Sequence, residues 1–239
     1  MITDKRTQTE ISEIFSSLQG EGPYLGTRQV FVRFGRCNMQ CEYCDELAKM
    51  KEEKFFVYSL EELLIAVEKL DEEKGRHHSI SLTGGEPLMY ASFLENFLPR
   101  LKEKGFPAYL ETNGTLPREL DCVVRWCDII AMDLKPSSST QDRSYWKEHE
   151  VFLKIAARKE VFVKVVVTPT TRFEEIQKCV RLVSSVDPGI PFIFQPLSDP
   201  LGINVEALKL IEQIFSKEAE KELYDVRVIP QMHKIWGVR

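Results

Sequence analysis

Short apolar runs alternate with amphipathic stretches along most of this chain. Runs near 30–34, 79–83, 107–112, 128–134, 161–167 and 192–195 have strand length and are bounded by turn residues. Between them, apolar residues recur at helical spacing. Leu60, Leu63, Leu64 and Val67 share one face behind Ser59, a candidate N-cap. Leu94, Phe97, Leu98 and Leu101 make a second stripe, Ile176, Cys179, Val180 and Val183 a third, and Leu208, Ile211, Ile214 and Phe215 a fourth. The alternation predicts βα units, and six strands so connected predict an α/β fold: an incomplete (β/α)6 barrel of parallel strands with outer helices. Ahead of them, Ile11, Glu13 and Phe15 alternate imperfectly against Glu10, Ser12, Ile14 and Ser16. That strand ends at Gly20-Glu21-Gly22-Pro23, a turn able to fold it back toward the next.

Strand parity adds a direction, because successive side chains point to opposite faces. Val30, Val32 and Phe34 share a face that excludes Arg33; Ile80 and Leu82 oppose Ser79, Ser81 and Thr83; Ala108 and Leu110 oppose Tyr109, Glu111 and Asn113. Asp133 and Lys135 oppose Ile130, Met132 and Leu134, Lys164 opposes Val163, Val165 and Val167, and Gln195 opposes Phe192 and Phe194. A sheet with one solvated face has the same pattern, but that arrangement suits antiparallel sheets better than βα units. The expectation is therefore a polar barrel lumen, with most polar groups late in their strands, where barrel enzymes keep their sites.

Composition narrows the partners. The 239 residues are 43% hydrophobic, contain no low-complexity run and show no linker, which predicts one domain over 1–239. A net charge of −5 with interspersed signs argues against nucleic acid or an anionic membrane surface and leaves a small molecule or a protein as substrate. Met1–Arg6 lack an apolar leader core and no run approaches the ~18 apolar residues of a span, so the expected location is cytoplasmic. Six cysteines make no disulfide scaffold; Cys122, Cys127 and Cys179 are expected as reduced thiols. His77 and His78 lie in a polar connection and receive no role.

The remaining three cysteines, Cys37, Cys41 and Cys44, stand as C-x3-C-x2-C directly after the strand at 30–34. Three thiolates at this spacing suit three corners of a cubane iron–sulfur cluster, leaving the fourth iron open to a ligand. A zinc site would want a fourth nearby ligand, and the next thirty residues supply none; buried structural cysteines are the other alternative.

With Tyr43 before its last cysteine and Gly84-Gly85-Glu86-Pro87 after the next strand, this loop resembles the radical S-adenosylmethionine superfamily. Within it, Ser17-Leu18-Gln19-Gly20-Glu21-Gly22, Glu111-Thr112-Asn113-Gly114, Asp133-Leu134-Lys135-Pro136-Ser137 and Pro230-Gln231-Met232-His233-Lys234 are similar to motifs of the 7-carboxy-7-deazaguanine synthase family, in the same order. The resemblance implies a [4Fe-4S] cluster on the three cysteines and S-adenosylmethionine on the open iron. It implies cofactor contacts from Tyr43, Asp45, Gly84, Gly85, Lys135, Pro136, Ser137 and Gln195. The implied substrate is 6-carboxy-5,6,7,8-tetrahydropterin, converted to 7-carboxy-7-deazaguanine with loss of ammonia in 7-deazapurine (queuosine-type) biosynthesis. Its implied contacts are Leu18, Gln19, Gly20, Glu21, Thr83, His233 and Arg239, with the 10–29 segment and the tail contributing. Arg33, by parity an inward guanidinium beside the cluster loop, suits two-pronged pairing with the substrate carboxylate. A flavodoxin- or ferredoxin-type electron donor and a homodimer are also implied.

One position departs from the family, which commonly reads Cys-Asp-Thr and associates that threonine with magnesium; here the run is Cys44-Asp45-Glu46. A carboxylate is a harder oxygen ligand than a hydroxyl, so the expectation is a retained Mg2+ in altered geometry, or else a cationic side chain against Glu46. Two other functions share the cysteine loop: an activating enzyme that generates a glycyl radical on a partner protein, and a non-catalytic metal-binding module.

Overall fold

The computed structural model describes residues 6–45, 54–199 and 202–238; Glu46 and Arg239 lie outside them. Strands β1 (Gln8–Leu18) and β2 (Arg28–Phe34) form an antiparallel hairpin, and β3 (Phe56–Ser59) pairs antiparallel with the other side of β1. From β2 the sheet continues in parallel through β4 (Ser79–Gly84), β5 (Ala108–Thr112), β6 (Ile129–Leu134), β7 (Glu160–Val167) and β8 (Phe192–Pro196). After a small hairpin, β9 (Ser198–Asp199) with β10 (Gly202–Ile203), strand β11 (Val226–Val228) joins β8 in parallel. Among the described residues the order 3-1-2-4-5-6-7-8-11 leaves β3 and β11 as unpaired edges, so the barrel is incomplete. The six expected parallel strands are all present. The broken alternation near Ile11 has a cause: the β1–β2 register shifts between Ile11 and Glu13, a bulge that inserts one residue.

Helices α1 (Leu60–Lys74), α2 (Ala91–Glu103), α3 (Pro117–Val123), α4 (Ser137–Thr140), α5 (Trp146–Ala156) and α6 (Phe173–Val186) follow, then α7 (Val205–Leu210), α8 (Ser216–Ala219) and α9 (Met232–Trp236). Helix α1 starts as its sequence requires: the Ser59 hydroxyl accepts from the Glu62 N–H at 3.3 Å while the Glu62 carboxylate accepts from the Ser59 N–H at 2.8 Å. The apolar strand faces, among them Val30, Val32, Leu82, Leu110, Ile130, Val163 and Phe194, pack with the helix stripes into one core. The opposite parity forms the lumen. At its far end Tyr24, Tyr109, Phe162, Ile129 and Ile193 make an apolar floor. His77, given no role by the sequence, is buried between Ser16 (2.7 Å) and Asp71 (2.8 Å) and ties β1 to the α1–β4 connection.

Ile214 corrects the fourth stripe. Residues 211–215 form a π-helical turn between α7 and α8, so burial steps by four through Ala207, Ile211, Phe215 and Ala219, and Ile214 is 44% exposed. Ile214→Ser is therefore expected to change stability by less than ~0.5 kcal/mol, whereas Phe215→Ala should cost ~3–5 kcal/mol, read from urea midpoints. Among the described residues no helix is long and apolar enough to cross a membrane.

Candidate active site

The cysteine loop leaves β2 and is clamped from two sides. Gly85 N–H donates to the Phe34 carbonyl (3.0 Å) and Glu86 N–H to the Arg36 carbonyl (2.7 Å). A Cβ on Gly85 would collide with that Arg36 carbonyl, which is why glycine stands there. On the other side Glu42 N–H donates to the Thr140 carbonyl (2.9 Å), and Tyr145 packs with Met39 and Cys41. The Cys37 sulfur accepts from Met39 N–H (3.4 Å) and from Asn113 Nδ2 (3.8 Å). Burial pushes the Cys37 thiol up to about 11 and raises that of Cys41. Such thiols ionise when a bound metal supplies the positive charge. Among the described residues no three His, Cys, Asp or Glu side chains converge closely enough to hold one ion. A cubane does not ask that of them, since each thiolate binds a different iron; the buried or half-buried cysteines and the N–H···S donors to Cys37 fit such a cluster.

All three cysteines line a cavity of about 590 Å³ at the C-terminal ends of the strands, within the range of small-molecule sites. Charges of alternating sign cross it. Lys164 is paired with Glu21 and lies 3.3 Å from Asp133; Asp133 holds Lys135 at 2.8 Å; Lys135 approaches the Tyr43 hydroxyl at 3.4 Å. Burial alone would push the Glu21 carboxyl up, but Lys164, helped by the Gln231 amide and His233, brings it down to about 2. Burial likewise works against the charged forms of Lys164 and Lys135, and their carboxylate neighbours overcome it, holding both ammonium groups above the ordinary range.

A second array rises from the hairpin. Glu111 accepts from Gln19 Nε2 (2.9 Å), Ser81 (3.0 Å) and Thr83 (2.8 Å), and Gln19 Oε1 accepts from Glu21 N–H (3.0 Å). Arg33 stands on the same wall, 3.6 Å from Glu13 and 5.7 Å from the Phe15 ring centre. The chain end closes this side: Met232 N–H donates to the Gly20 carbonyl (2.9 Å), and His233 lies so close to Gly20 that any side chain there would strike it. Gln231 reaches Glu21 (3.0 Å) and Asp45 (3.3 Å), and Lys234 pairs with Asp45 (2.9 Å).

Known proteins resemble this chain in sequence and in fold. The Radical SAM superfamily model matches residues 31–182. A 7-carboxy-7-deazaguanine synthase of Geobacter sulfurreducens is 40% identical over 248 residues, covering 95% of this chain and 97% of that relative. The chain belongs to the 7-carboxy-7-deazaguanine synthase family of radical SAM enzymes. A member from Methanothermobacter thermautotrophicus is 36% identical, covering 96% and 97%. The structure of QueE from Escherichia coli superposes with a TM-score of 0.61 at 20% identity over 95% of each chain. A TYW1 with a lysine-pyruvate adduct bound reaches 0.55 at 17% identity, over 82% of this chain and 74% of that one. At those identities the two likenesses concern the fold alone.

As a 7-carboxy-7-deazaguanine synthase family member, the chain is a lyase-type radical SAM enzyme whose cofactors are a [4Fe-4S] cluster and S-adenosylmethionine. Of the residues the sequence singled out, Leu18, Gln19, Gly20, Glu21, Arg33, Tyr43, Asp45, Thr83, Gly84, Gly85, Lys135, Gln195 and His233 line the cavity with the cysteines. Pro136 and Ser137 do not; Pro136 is buried, and the Ser137 hydroxyl donates to Glu175 at 2.7 Å. Sequence reasoning put Glu111, Asp133 and Lys164 on the lumen side without assigning them to the site. It did not reach Gln231 and Lys234, although their motif was in view.

Proposed function

We propose that this protein is a 7-carboxy-7-deazaguanine synthase, acting on 6-carboxy-5,6,7,8-tetrahydropterin with ring contraction and loss of ammonia in queuosine-type 7-deazapurine biosynthesis. One observation carries the reading: the cysteine loop opens on the same chamber as the Gln19–Glu111–Glu21 array and Arg33. When bound, the cluster and S-adenosylmethionine supply reductive carbon–sulfur cleavage to a 5′-deoxyadenosyl radical. Cys37, Cys41 and Cys44 hold three irons. Gly84 and Gly85 give the methionine amine close backbone approach. Tyr43, Asp45, Lys135 and Gln195 face the nucleoside, with Pro136 and Ser137 behind them. Gln195 Oε1 is buried and meets no donor among the described residues, which suits an exocyclic amine.

On the substrate side, the Glu111 and Glu21 carboxylates accept from the N–H edge of the pterin, with Gln19, Thr83, the Leu18–Gly20 backbone, His233 and Arg239 around it. Arg33 takes the carboxylate and so fixes which ring carbon faces the radical. Mg2+ on Glu46, a flavodoxin- or ferredoxin-type donor, a homodimer and a reducing cytoplasmic setting complete the reading.

Anaerobic incubation of the reconstituted enzyme with the carboxytetrahydropterin, S-adenosylmethionine and a reductant should yield 7-carboxy-7-deazaguanine by mass spectrometry. In Arg33→Ala, loss of a charge partner worth ~2–5 kcal/mol should lower kcat/KM at least ~30-fold while cluster content persists. Equal use of carboxylated and decarboxylated pterins by the wild type and the variant would refute the pairing, and absence of the product would refute the function.

A further inference from the structure

Asn113 follows β5, and every hydrogen bond it makes has a fixed direction. Its Oδ1 accepts from the Thr115 backbone N–H at 3.1 Å and from the Thr115 hydroxyl at 2.6 Å. A backbone N–H can only donate, so this contact decides which end of the amide is oxygen. The NH2 group is thereby turned toward Asn38 Oδ1 (2.9 Å) and the Cys37 sulfur (3.8 Å). Asn38 Nδ2 donates in turn to the Thr115 hydroxyl at 2.8 Å, completing a ring in which each donor meets an acceptor.

The backbone of Asn113 is anchored as firmly. Its N–H donates to Glu86 Oε2 at 2.8 Å, and its carbonyl accepts from His149 Nε2 at 3.1 Å. Burial pushes the His149 imidazole down to about 4, so it is neutral and donates from Nε2, leaving Nδ1 as a buried acceptor without a partner. Asn113 and Thr115 are both buried, which shields the bonds between them from competing water, whereas Asn38 is exposed.

We infer that Asn113 is a positioning residue that sets the reduction potential of the cluster through its N–H···S bond to Cys37, with Thr115 locking the amide in the donating orientation. The inference rests on Cys37 being a cluster ligand. A donor on a ligating sulfur withdraws electron density and favours the reduced cluster, which carries one more negative charge. The bond therefore tightens on reduction, and the potential rises. This matters for an enzyme that must be reduced before it can cleave its cofactor. Hydrogen bonds around ligands tune metal sites in just this way.

The test is a redox titration of the reconstituted enzyme, followed by electron paramagnetic resonance, with iron and sulfide measured on each sample. Asn113→Ala is expected to keep its iron and to move the midpoint to more negative potential. Thr115→Val, which keeps the orienting backbone N–H but removes the hydroxyl bonds to Asn113 Oδ1 and from Asn38 Nδ2, should move it the same way by less. Resonance Raman adds a separate readout: the Fe–S(Cys) stretches of the wild type should shift in D2O, and by less in Asn113→Ala, where, among the described residues, the Met39 N–H is the donor left to Cys37.

A full cluster with an unchanged midpoint in Asn113→Ala overturns the role of Asn113 and leaves the ligand assignment standing. If Asn113→Ala loses iron, the near-isosteric Asn113→Leu, which removes the donor but keeps the volume, decides, and an unchanged midpoint there overturns the inference. Full iron in Cys37→Ala overturns the ligand assignment and the inference with it.

Discussion

Replacing Lys164 by methionine is expected to abolish pterin turnover and to destabilise the fold by about 3–5 kcal/mol at neutral pH. The side chain is only 12% exposed and sits between Glu21 and Asp133, which are 18% and 20% exposed. Methionine fills similar space, so the loss is mainly one of charge: the cation between two sheltered carboxylates is removed, leaving Asp133 with Lys135 and Glu21 with the Gln231 amide. The pH dependence follows from Glu21. Its folded carboxyl lies at about 2, below the ordinary 4.5, so its stabilisation of about 3 kcal/mol is fully present above pH 4.5 and is lost as pH falls toward 2. Without Lys164 that depression largely disappears. The deficit of the variant should therefore be large at pH 7 and clearly smaller at pH 3, measured by urea unfolding of cluster-free protein at both. A deficit below ~1 kcal/mol at pH 7, or one independent of pH, would contradict this account.

Single substitutions Cys37→Ala, Cys41→Ala and Cys44→Ala are each expected to remove most of the iron and all 5′-deoxyadenosine formation. No other cysteine can stand in. Cys127 and Cys179 are fully buried in the helix-side core, where burial pushes the Cys127 thiol up to about 12 and raises that of Cys179 further. Cys122 is exposed on α3, where its thiol donates to the Arg118 carbonyl. Cys122→Ala is the matched control and should keep full iron and activity. Iron and sulfide assays with product chromatography decide the matter: a cysteine-loop variant that still formed 5′-deoxyadenosine would sink the ligand set.

Local pattern carried most of the architecture. The parallel strands lie within two residues of the apolar runs, because strand length and parity are short-range properties, and the cysteine loop is readable because all of its chemistry lies within eight residues. Parity placed Glu111, Asp133 and Lys164 in the lumen but did not say which would meet. Lys164 and Glu21 are 143 positions apart and Gln231 and Glu21 are 210 apart, distances over which only the assembled sheet sets the register. Helix α5 was missed because it opens on the mixed run Trp146–His149, although His149, Phe152, Leu153 and Ala156 form its buried face. Ile214 was misread because a π-turn adds a residue to the helical period, which hydropathy spacing does not reveal.

The bond from Met232 to Gly20 joins the first hairpin of the chain to its last helix. During synthesis the cysteine loop emerges well before Gln231–Lys234, the segment that walls it in. Before Gln231–Lys234 dock, the chamber lacks the wall they supply on the Gly20 side. A variant in which they cannot dock is therefore expected to let solvent reach the cysteine loop from that side, read as faster alkylation of its thiols in cluster-free protein.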